Sequence, residues 1–552
     1  MKSIIGALLS GLLLWLAWPT YGFAGLLFIA FVPLLLSEKR LRNDAKKKTA
    51  WRVLAHAYLT FFIWNFATTS WLYYATPFGM WFAILVNSLL MATVFTAYHL
   101  FARKVNQGTA WIFLICLWIG FEYLHLHWDF SWPWLNLGNG FSEYTSWIQW
   151  YEYTGTFGGT LWVWLVNVTI TWILVSRFKW FNGNENDVNY AFAKAKFLKN
   201  ILLPVSMILV PIAVSMLIKS TYSVSITNES NLDQVIIVQP NIDPYKEKYF
   251  QTNRKVIELI EELVQPELNE EIDFIITPET VLADGRFRLS QIQYHRDIQD
   301  LRTLLSPYPN TYYLGGISMI DVFKKDDERR TNQSNTQDGK LYFNDYNSAM
   351  FMNRSGSVEL YHKSKLVVGI ENMPYKTVLE PLLGDAMIDL GGTVATKTTQ
   401  EERGVFTTAT KKSIAPIICY ESVYGDYVTD YVVNGAQFLA IITNDAWWGN
   451  TQGHKQHLSL ARLRAIENRR WIARSANTGI SAIIDHTGRI RESLGYEKRG
   501  VIKGNLQSRE ELTFYTQHGD YLARIALFIG VFTLLFGTMR SSGKRRGRRP
   551  KS

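Results

Sequence analysis

Only two cysteines occur in the 552 residues, and one of them, Cys419, ends the apolar run Ala415–Ile418 beside Tyr420 and Glu421. A thiol attacks as its thiolate, so at an ordinary pKa of about 8.5 it needs a neighbouring base or cation. Glu279, after the run "DFIITP", is of the type that takes a proton as general base. Lys363, in the segment Tyr361–Tyr375 with Lys365 and Glu371, is of the type that steadies a thiolate or the oxyanion of a tetrahedral intermediate. Asn444 and Asp445 follow the run "FLAIIT". Spacing alone does not show that these groups meet, and a packed core thiol is the competing reading of Cys419. His454 and His457 have the i, i+3 spacing of a metal pair. Without further Cys or His ligands nearby they read as a surface or capping pair. No Gly-x-Ser-x-Gly pattern supports a serine triad.

These residues need elements to hold them. From about Tyr222 to Gln517 the composition is that of a soluble globular domain, with short Ile- and Val-rich runs each followed by polar or turn-forming residues. The runs are Gln234–Asn241, Asp273–Glu279, Thr311–Ser318, Asn347–Asn353, Ala415–Glu421, Gln437–Gly449 and Gly479–Gly488. Asn253–Gln265 carries Val256, Leu259, Ile260 and Leu263 at helical spacing, and His457–Ala476 reads as a second helix. Alternation of this kind is an α/β domain. Glu279, Cys419 and Asn444 each follow a strand, where α/β folds place functional residues. Tyr361–Tyr375 has neither period and reads as an ordered loop.

The first ~220 residues differ. They hold long apolar runs, and one more lies near the C-terminus, giving eight candidate spans: Ile4–Leu16, Gly22–Leu36, Leu54–Tyr74, Trp81–Phe101, Trp111–Tyr123, Phe157–Val175, Ile201–Ile218 and Leu522–Met539. The first two are short and joined by "WPTYG", as two crossings or one re-entrant hairpin; a cleaved signal peptide is the lesser reading of the first. Glu38–Arg52 carries seven Lys or Arg, Arg177–Lys199 five and the tail from Arg540 seven, whereas Trp128–Thr156 has none. Positive charge marks the cytoplasmic face. Eight spans with the N-terminus inside put every basic segment inside, and Trp128–Thr156 and the α/β domain outside. The net charge of +10 is therefore topological and calls for no nucleic acid partner. The expected organisation is a seven-helix membrane domain at 1–220, an extracytoplasmic catalytic domain at 221–517, a transmembrane helix at 518–540 and a basic cytoplasmic tail at 541–552. Cys116 and Cys419 then lie in different compartments and do not pair.

"TPET" with Glu279, "YHKSKL" with Lys363 and "ICYES" with Cys419, in that order, resemble the nitrilase superfamily of carbon–nitrogen hydrolases, as does "ITNDAWWG". With the membrane runs and "SWPWLNLGNGF" (Ser131–Phe141), the chain is similar over nearly its whole length to the apolipoprotein N-acyltransferase family. The resemblance implies a polytopic α-helical membrane domain plus an α/β nitrilase-like (α-β-β-α sandwich) domain. It implies a bacterial inner-membrane protein with its catalytic domain on the periplasmic side and both termini cytoplasmic. It implies Glu279 as base, Lys363 as oxyanion partner and Cys419 as nucleophile, supported by Glu371, Tyr420, Glu421, Asn444 and Trp447. An acyl chain would pass from a phospholipid, typically phosphatidylethanolamine, through a Cys419 thioester to the α-amine of a diacylglyceryl-cysteine apolipoprotein, with no cofactor or metal. The competing activity is a membrane-tethered amidase acting on a small amide. Two departures from the family concern substrate handling: Val368, Gly369 and Ile370 replace a Pro-Phe-Gly, and Lys248 or Tyr249 stands near a tryptophan position. Glu371–Met387 admits two readings, a lid dipping into the membrane or a packed loop.

Overall fold

The computed structural model describes residues 2–44, 48–177, 190–224, 232–244, 247, 251–336, 338–376, 378 and 396–546. Lys248, Tyr249 and most of the expected lid lie outside them. By packing, the chain divides into two compact units. One comprises Met1–Ser70, Met80–Thr221 and Asp520–Ser552; the other comprises Trp71–Gly79 and Tyr222–Gly519.

The second unit is built on two sheets. Its strands are β1 (Leu232–Gln239), β2 (Phe274–Ile276), β3 (Leu282–Arg288), β4 (Tyr312–Lys324), β5 (Asn335–Thr336), β6 (Leu341–Met352), β7 (Glu359–His362), β8 (Phe406–Thr407), β9 (Ser413–Ile418), β10 (Phe438–Thr443), β11 (Ile472–Ala476), β12 (Ser481–Ile484), β13 (Ile490–Leu494) and β14 (Gly500–Gln507). One sheet has the order β14-β1-β2-β4-β6-β5, with β3 beside β4 and β7 beside β6; the other runs β13-β12-β11-β10-β9-β8. The sheets meet face to face: Phe274 packs edge-on against Phe438 at 5.3 Å, and Ser475 Oγ donates to the Val238 carbonyl at 2.8 Å. Strands buried on both faces lose the alternating pattern and become continuous apolar runs, such as "VIIV" and "FLAII". Helices Asn253–Val264 and Arg296–Leu305 cover the outer face of the first sheet through Val256, Ile257, Ile260, Ile298 and Leu301. Helices Gly425–Val433 and Gln452–Asn468 belong to the second half.

Two readings of the sequence are corrected here. His457–Ala476 is not one helix: it ends at Asn468, Arg469 turns into the left-handed region (φ 49°), and Ile472–Ala476 pairs in parallel with β10. Pairing with a buried neighbour outweighs the helix propensity of "RRWIARSA". Tyr361 and His362 are strand, the end of β7, and the loop begins at Lys363.

In the first unit, five helices among the described residues are long and apolar enough to cross a membrane: Pro77–Ala102, Gln107–His125, Tyr151–Ser176, Asn200–Tyr222 and Tyr521–Met539. The other three expected spans fare differently. Lys2–Ala17 has 16 residues, about 24 Å of helix against a hydrocarbon core of about 30 Å. The second run breaks into Ala24–Leu26, Leu27–Ala30 and Val32–Asn43, with Pro33 in the first turn of the last. Thr49–Thr69 is long enough but has polar residues along it, and its buried Asn65 receives a hydrogen bond from Asn87 Nδ2 at 2.8 Å. Gly6 lets the first helix touch the third: a Cβ there would lie 2.1 Å from Ser37 Oγ and 2.8 Å from the Pro33 carbonyl, the small-residue contact typical of membrane helices. Ser131–Phe141 folds as two 3-10 turns, Pro133–Leu135 and Leu137–Phe141. Its Trp134, Leu137 and Phe141 are buried rather than turned outward as aromatic anchors. Glu122 holds it, accepting from Leu137 N at 2.8 Å, Trp118 Nε1 at 3.0 Å and Thr160 Oγ1 at 2.6 Å.

Candidate active site

Each reactive residue sits just past the carboxyl end of a strand. Glu279 follows β2, Lys363 follows β7, Cys419 follows β9, and Asn444 with Asp445 follows β10. The Glu279 turn lies on β4, where Gly316 has no side chain to obstruct it: a Cβ would be 2.2 Å from Thr280 N and 2.6 Å from Glu279 Cα. The amide of Gly316 donates to the Pro278 carbonyl at 3.0 Å and fixes the turn there.

Lys363 is buried between two carboxylates. Its Nζ lies 3.0 Å from Glu279 Oε1 and 2.9 Å from Glu371 Oε2. Asn347 on β6 completes the group, its Nδ2 donating to Glu279 Oε1 at 2.7 Å and to Glu371 Oε1 at 3.2 Å. Glu371 is held in turn by Val367 N at 2.8 Å. Burial opposes the ammonium, but Glu279 and Glu371 together reverse that and hold the Lys363 pKa well above its ordinary value. The lysine is thus a fixed cation.

Cys419 has φ 52°, a left-handed backbone unusual for a side chain other than Asn, Asp or Gly. Strain of this kind gathers at functional sites, where the surroundings over-determine it. Here the Cys419 carbonyl accepts from Ser422 Oγ at 2.7 Å and lies 3.3 Å from His457 Nε2. Arg464 Nη1 grips the Val423 carbonyl at 2.7 Å. Burial pushes the Cys419 thiol up, and so does the charge of Glu279; Lys363 and a hydrogen bond with Thr443 act the other way without prevailing. The sulfur therefore senses both Glu279 and Lys363, and it is held as a thiol.

Glu421 is fully buried and works as a tie. Its carboxylate accepts from Ile418 N at 2.8 Å, Ser364 N at 2.7 Å, Tyr361 OH at 2.8 Å and Tyr427 OH at 2.6 Å. One side chain thereby joins the turn that carries Cys419 to the residue after Lys363. Tyr420 is buried with its ring 5.3 Å from that of Tyr424. Asn444 accepts from Asn477 Nδ2 at 3.2 Å, and its own Nδ2 is buried without a partner. Trp447 is half-buried. Trp448 packs on Trp71 at 5.0 Å and on His457 at 5.4 Å.

Two groups of residues have no signal in the sequence. Asn347 lies mid-strand in "NDYNSAM", where nothing marks it as polar support. His457 is not a surface residue: it is buried, with Nδ1 3.0 Å from Asp445 Oδ1, Arg474 Nη2 2.7 Å from Asp445 Oδ2, and Nε2 3.1 Å from Ser422 Oγ. Although burial raises the Asp445 pKa, Arg474 and His457 overcome it and hold the carboxyl well below its usual range. His454 is buried too, and burial lowers it to about 4. Among the described residues no group of three or more His, Cys, Asp or Glu is arranged to hold a metal ion.

Two sheets in an α/β sandwich, with an acid, a lysine and a thiol at their strand ends, define a class. The chain belongs to the carbon–nitrogen hydrolase family, whose model matches residues 235–513. Residues 10–169 match the apolipoprotein N-acyltransferase N-terminal domain. Similar curated proteins run the length of the chain. The apolipoprotein N-acyltransferase of Chlorobaculum tepidum is 28% identical over 546 residues, covering 97% of this chain and 96% of that protein. That of Geobacter metallireducens is 26% identical over 536 residues, covering 95% and 92%. These relatives support lipoprotein N-acylation as the activity, and an acyltransferase as the kind of enzyme, over the amidase alternative. Among solved structures, an amidase from Nesterenkonia sp. is 14% identical, with a TM-score of 0.37, covering 55% of this chain and 98% of that one. Nit3 of Saccharomyces cerevisiae is 16% identical, with a TM-score of 0.35, covering 50% and 91%.

Proposed function

We propose that the chain moves an acyl group from a membrane phospholipid, through a thioester on Cys419, to the α-amine of an N-terminal diacylglyceryl-cysteine. The observation that carries this is Lys363 fixed between Glu279 and Glu371 beside a cysteine held in a strained turn. Glu279 takes the thiol proton as the sulfur attacks the sn-1 ester carbonyl. Lys363 faces the oxyanion that forms, and Glu371 with Asn347 fixes that lysine. The intermediate collapses, the glycerol oxygen leaves with the proton from Glu279, and a thioester and a lysophospholipid result. The neutral α-amine then attacks the thioester carbonyl and gives its proton to Glu279. The C–S bond breaks, the amide forms and the sulfur is reprotonated. A thiol kept neutral by burial makes the base necessary, since little thiolate exists before substrate arrives. Tyr420, Glu421, Asn444 and Trp447 shape the turn and its rim. The donor we propose is phosphatidylethanolamine, the phospholipid that the resemblance to the apolipoprotein N-acyltransferase family implies.

The test is a pulse and chase with purified protein. Labelled phospholipid should leave a hydroxylamine-sensitive acyl adduct on Cys419, and a diacylglyceryl peptide should remove it as an amide. Cys419→Ala should abolish the adduct, and Glu279→Gln should slow its formation by about a hundredfold or more. An adduct that water discharges as fast as the peptide does would favour the amidase reading, and no adduct on wild-type protein would sink acyl transfer.

A further inference from the structure

One buried carboxylate, Asp445, reaches Cys419 at both ends. At the sulfur, Thr443 hydrogen-bonds the thiol, and Thr443 Oγ1 donates to Asp445 Oδ1 at 2.9 Å. At the carbonyl, His457 Nε2 lies 3.3 Å away, and His457 Nδ1 lies 3.0 Å from the same Asp445 oxygen. Arg474 Nη2 completes the group, 2.7 Å from Asp445 Oδ2 and 3.1 Å from His457 Nδ1. Thr443, Asp445, His457 and Arg474 are all buried. They come from β10, the turn after it, the helix Gln452–Asn468 and β11, so elements distant in sequence converge on the nucleophile's backbone.

Ser422, His457 and Asp445 have the order of contacts of a serine triad, but the hydrogens decide against that reading. The Ser422 hydroxyl has one hydrogen, and its 2.7 Å contact with the Cys419 carbonyl takes it. Toward His457 Nε2, 3.1 Å away, Ser422 therefore offers only lone pairs, as the carbonyl does. Nε2 faces two acceptors and is assigned a hydrogen on that ground. Nδ1 is satisfied in either state, by donating to Asp445 or by accepting from Arg474. His457 is thus a donor to the Cys419 turn and not a base for Ser422, which is fully buried. A side chain on a left-handed backbone stays there only where its surroundings hold it, and Cys419 has φ 52°. The carbonyl in question is Cys419's own, so fixing its direction fixes the backbone from which the thiol projects.

We propose that His457, oriented by Asp445 and Arg474, is a positioning residue for the nucleophile: with Ser422 it clamps the Cys419 carbonyl and keeps the thiol aimed for attack. The role rests on the acyl-transfer reading above. Two amides of different reach test it on the full-length protein in detergent. In His457→Gln the amide nitrogen takes the place of Nε2 and reaches the carbonyl. In His457→Asn it takes the place of Nδ1, stays beside Asp445 and falls short of the carbonyl. The maximal rate of Cys419 acylation by labelled phospholipid should fall about ten- to a hundredfold in His457→Asn and stay close to wild type in His457→Gln. The half-saturating phospholipid concentration should be unchanged in both. Ser422→Ala, the smaller change, removes the other donor and should show the same split; it decides the matter where His457→Asn fails to fold. An unchanged maximal rate in His457→Asn or in Ser422→Ala overturns the clamp. Equal losses in His457→Gln and His457→Asn overturn it too, because the imidazole would then serve packing alone. A loss that appears in half-saturation instead would put His457 on the path of the lipid and not on the turn. Wild-type protein that forms no Cys419 adduct would defeat the acyl-transfer reading itself, and this role with it.

Discussion

Glu279 acts on Cys419 in two opposed ways. As a neighbouring anion it raises the thiol pKa, and as a base it is the proposed acceptor of the thiol proton. The two effects separate in Glu279→Gln. Removing the carboxylate leaves Lys363 as the dominant charge on the sulfur, so the thiol should titrate lower while acyl transfer fails. Iodoacetamide labelling of wild-type Cys419 should climb with pH without levelling in the ordinary thiol range of about 8–9, and the profile of the variant should shift to lower pH. A shift upward, or none, would mean that Glu279 does not reach the sulfur. At this scale the sequence was informative where residue type and position coincide. Cys419 and Glu279 stand at the ends of recognisable apolar runs, whereas Lys363 was marked only by the resemblance of its segment, which read as a loop. The contacts of His457 with Ser422, of Asn347 with Glu279 and of Glu421 with Tyr361 were not readable, because these partners lie dozens of residues away and no periodicity encodes them.

The elements set how much error the site tolerates. Glu279 rides on a turn pressed against β4 at Gly316, with no room for a methyl group. Gly316→Ala must push the turn outward, and a displacement of about 1 Å from the chemistry can cost about a hundredfold. Acylation of Cys419 in Gly316→Ala should fall by that order, while the loss in stability stays within about 1–3 kcal/mol, an overpacking cost, read from thermal unfolding in detergent. Full activity would show that the turn adapts. Strand existence was legible for the buried runs but not for β3, β5, β7, β8, β13 and β14, which are short, polar or at sheet edges. The helix Gln452–Asn468 was overextended in the reading because the chain reverses at Arg469, a residue without the turn signature of glycine.

At the scale of the whole molecule the open matter is orientation. From the basic segments, and from Trp128–Thr156 with no Lys or Arg, we propose that both termini lie in the cytoplasm and the catalytic unit on the opposite side. A reporter active only in the cytoplasm should work when fused after Ser552 and fail when inserted at the exposed turn near Lys340; the reverse pattern would invert the topology. Apolar length was enough to mark five helices, but the first three runs mix short length, a proline break and internal polar residues, which hydropathy alone does not resolve.

The catalytic unit is not one continuous stretch of gene. Trp71–Gly79 belongs to it, with Trp71 Nε1 donating to Gln456 Oε1 at 3.2 Å and the indole against Gly453, where any side chain would collide. A fragment that begins at Tyr222 therefore lacks part of its own fold and exposes Trp448. During synthesis the order is inverted as well: the segment is made long before the helix it docks on, so it must wait unpartnered until the second half-sandwich exists. Completion of this unit is in that sense a late event that closes the chain upon its own beginning.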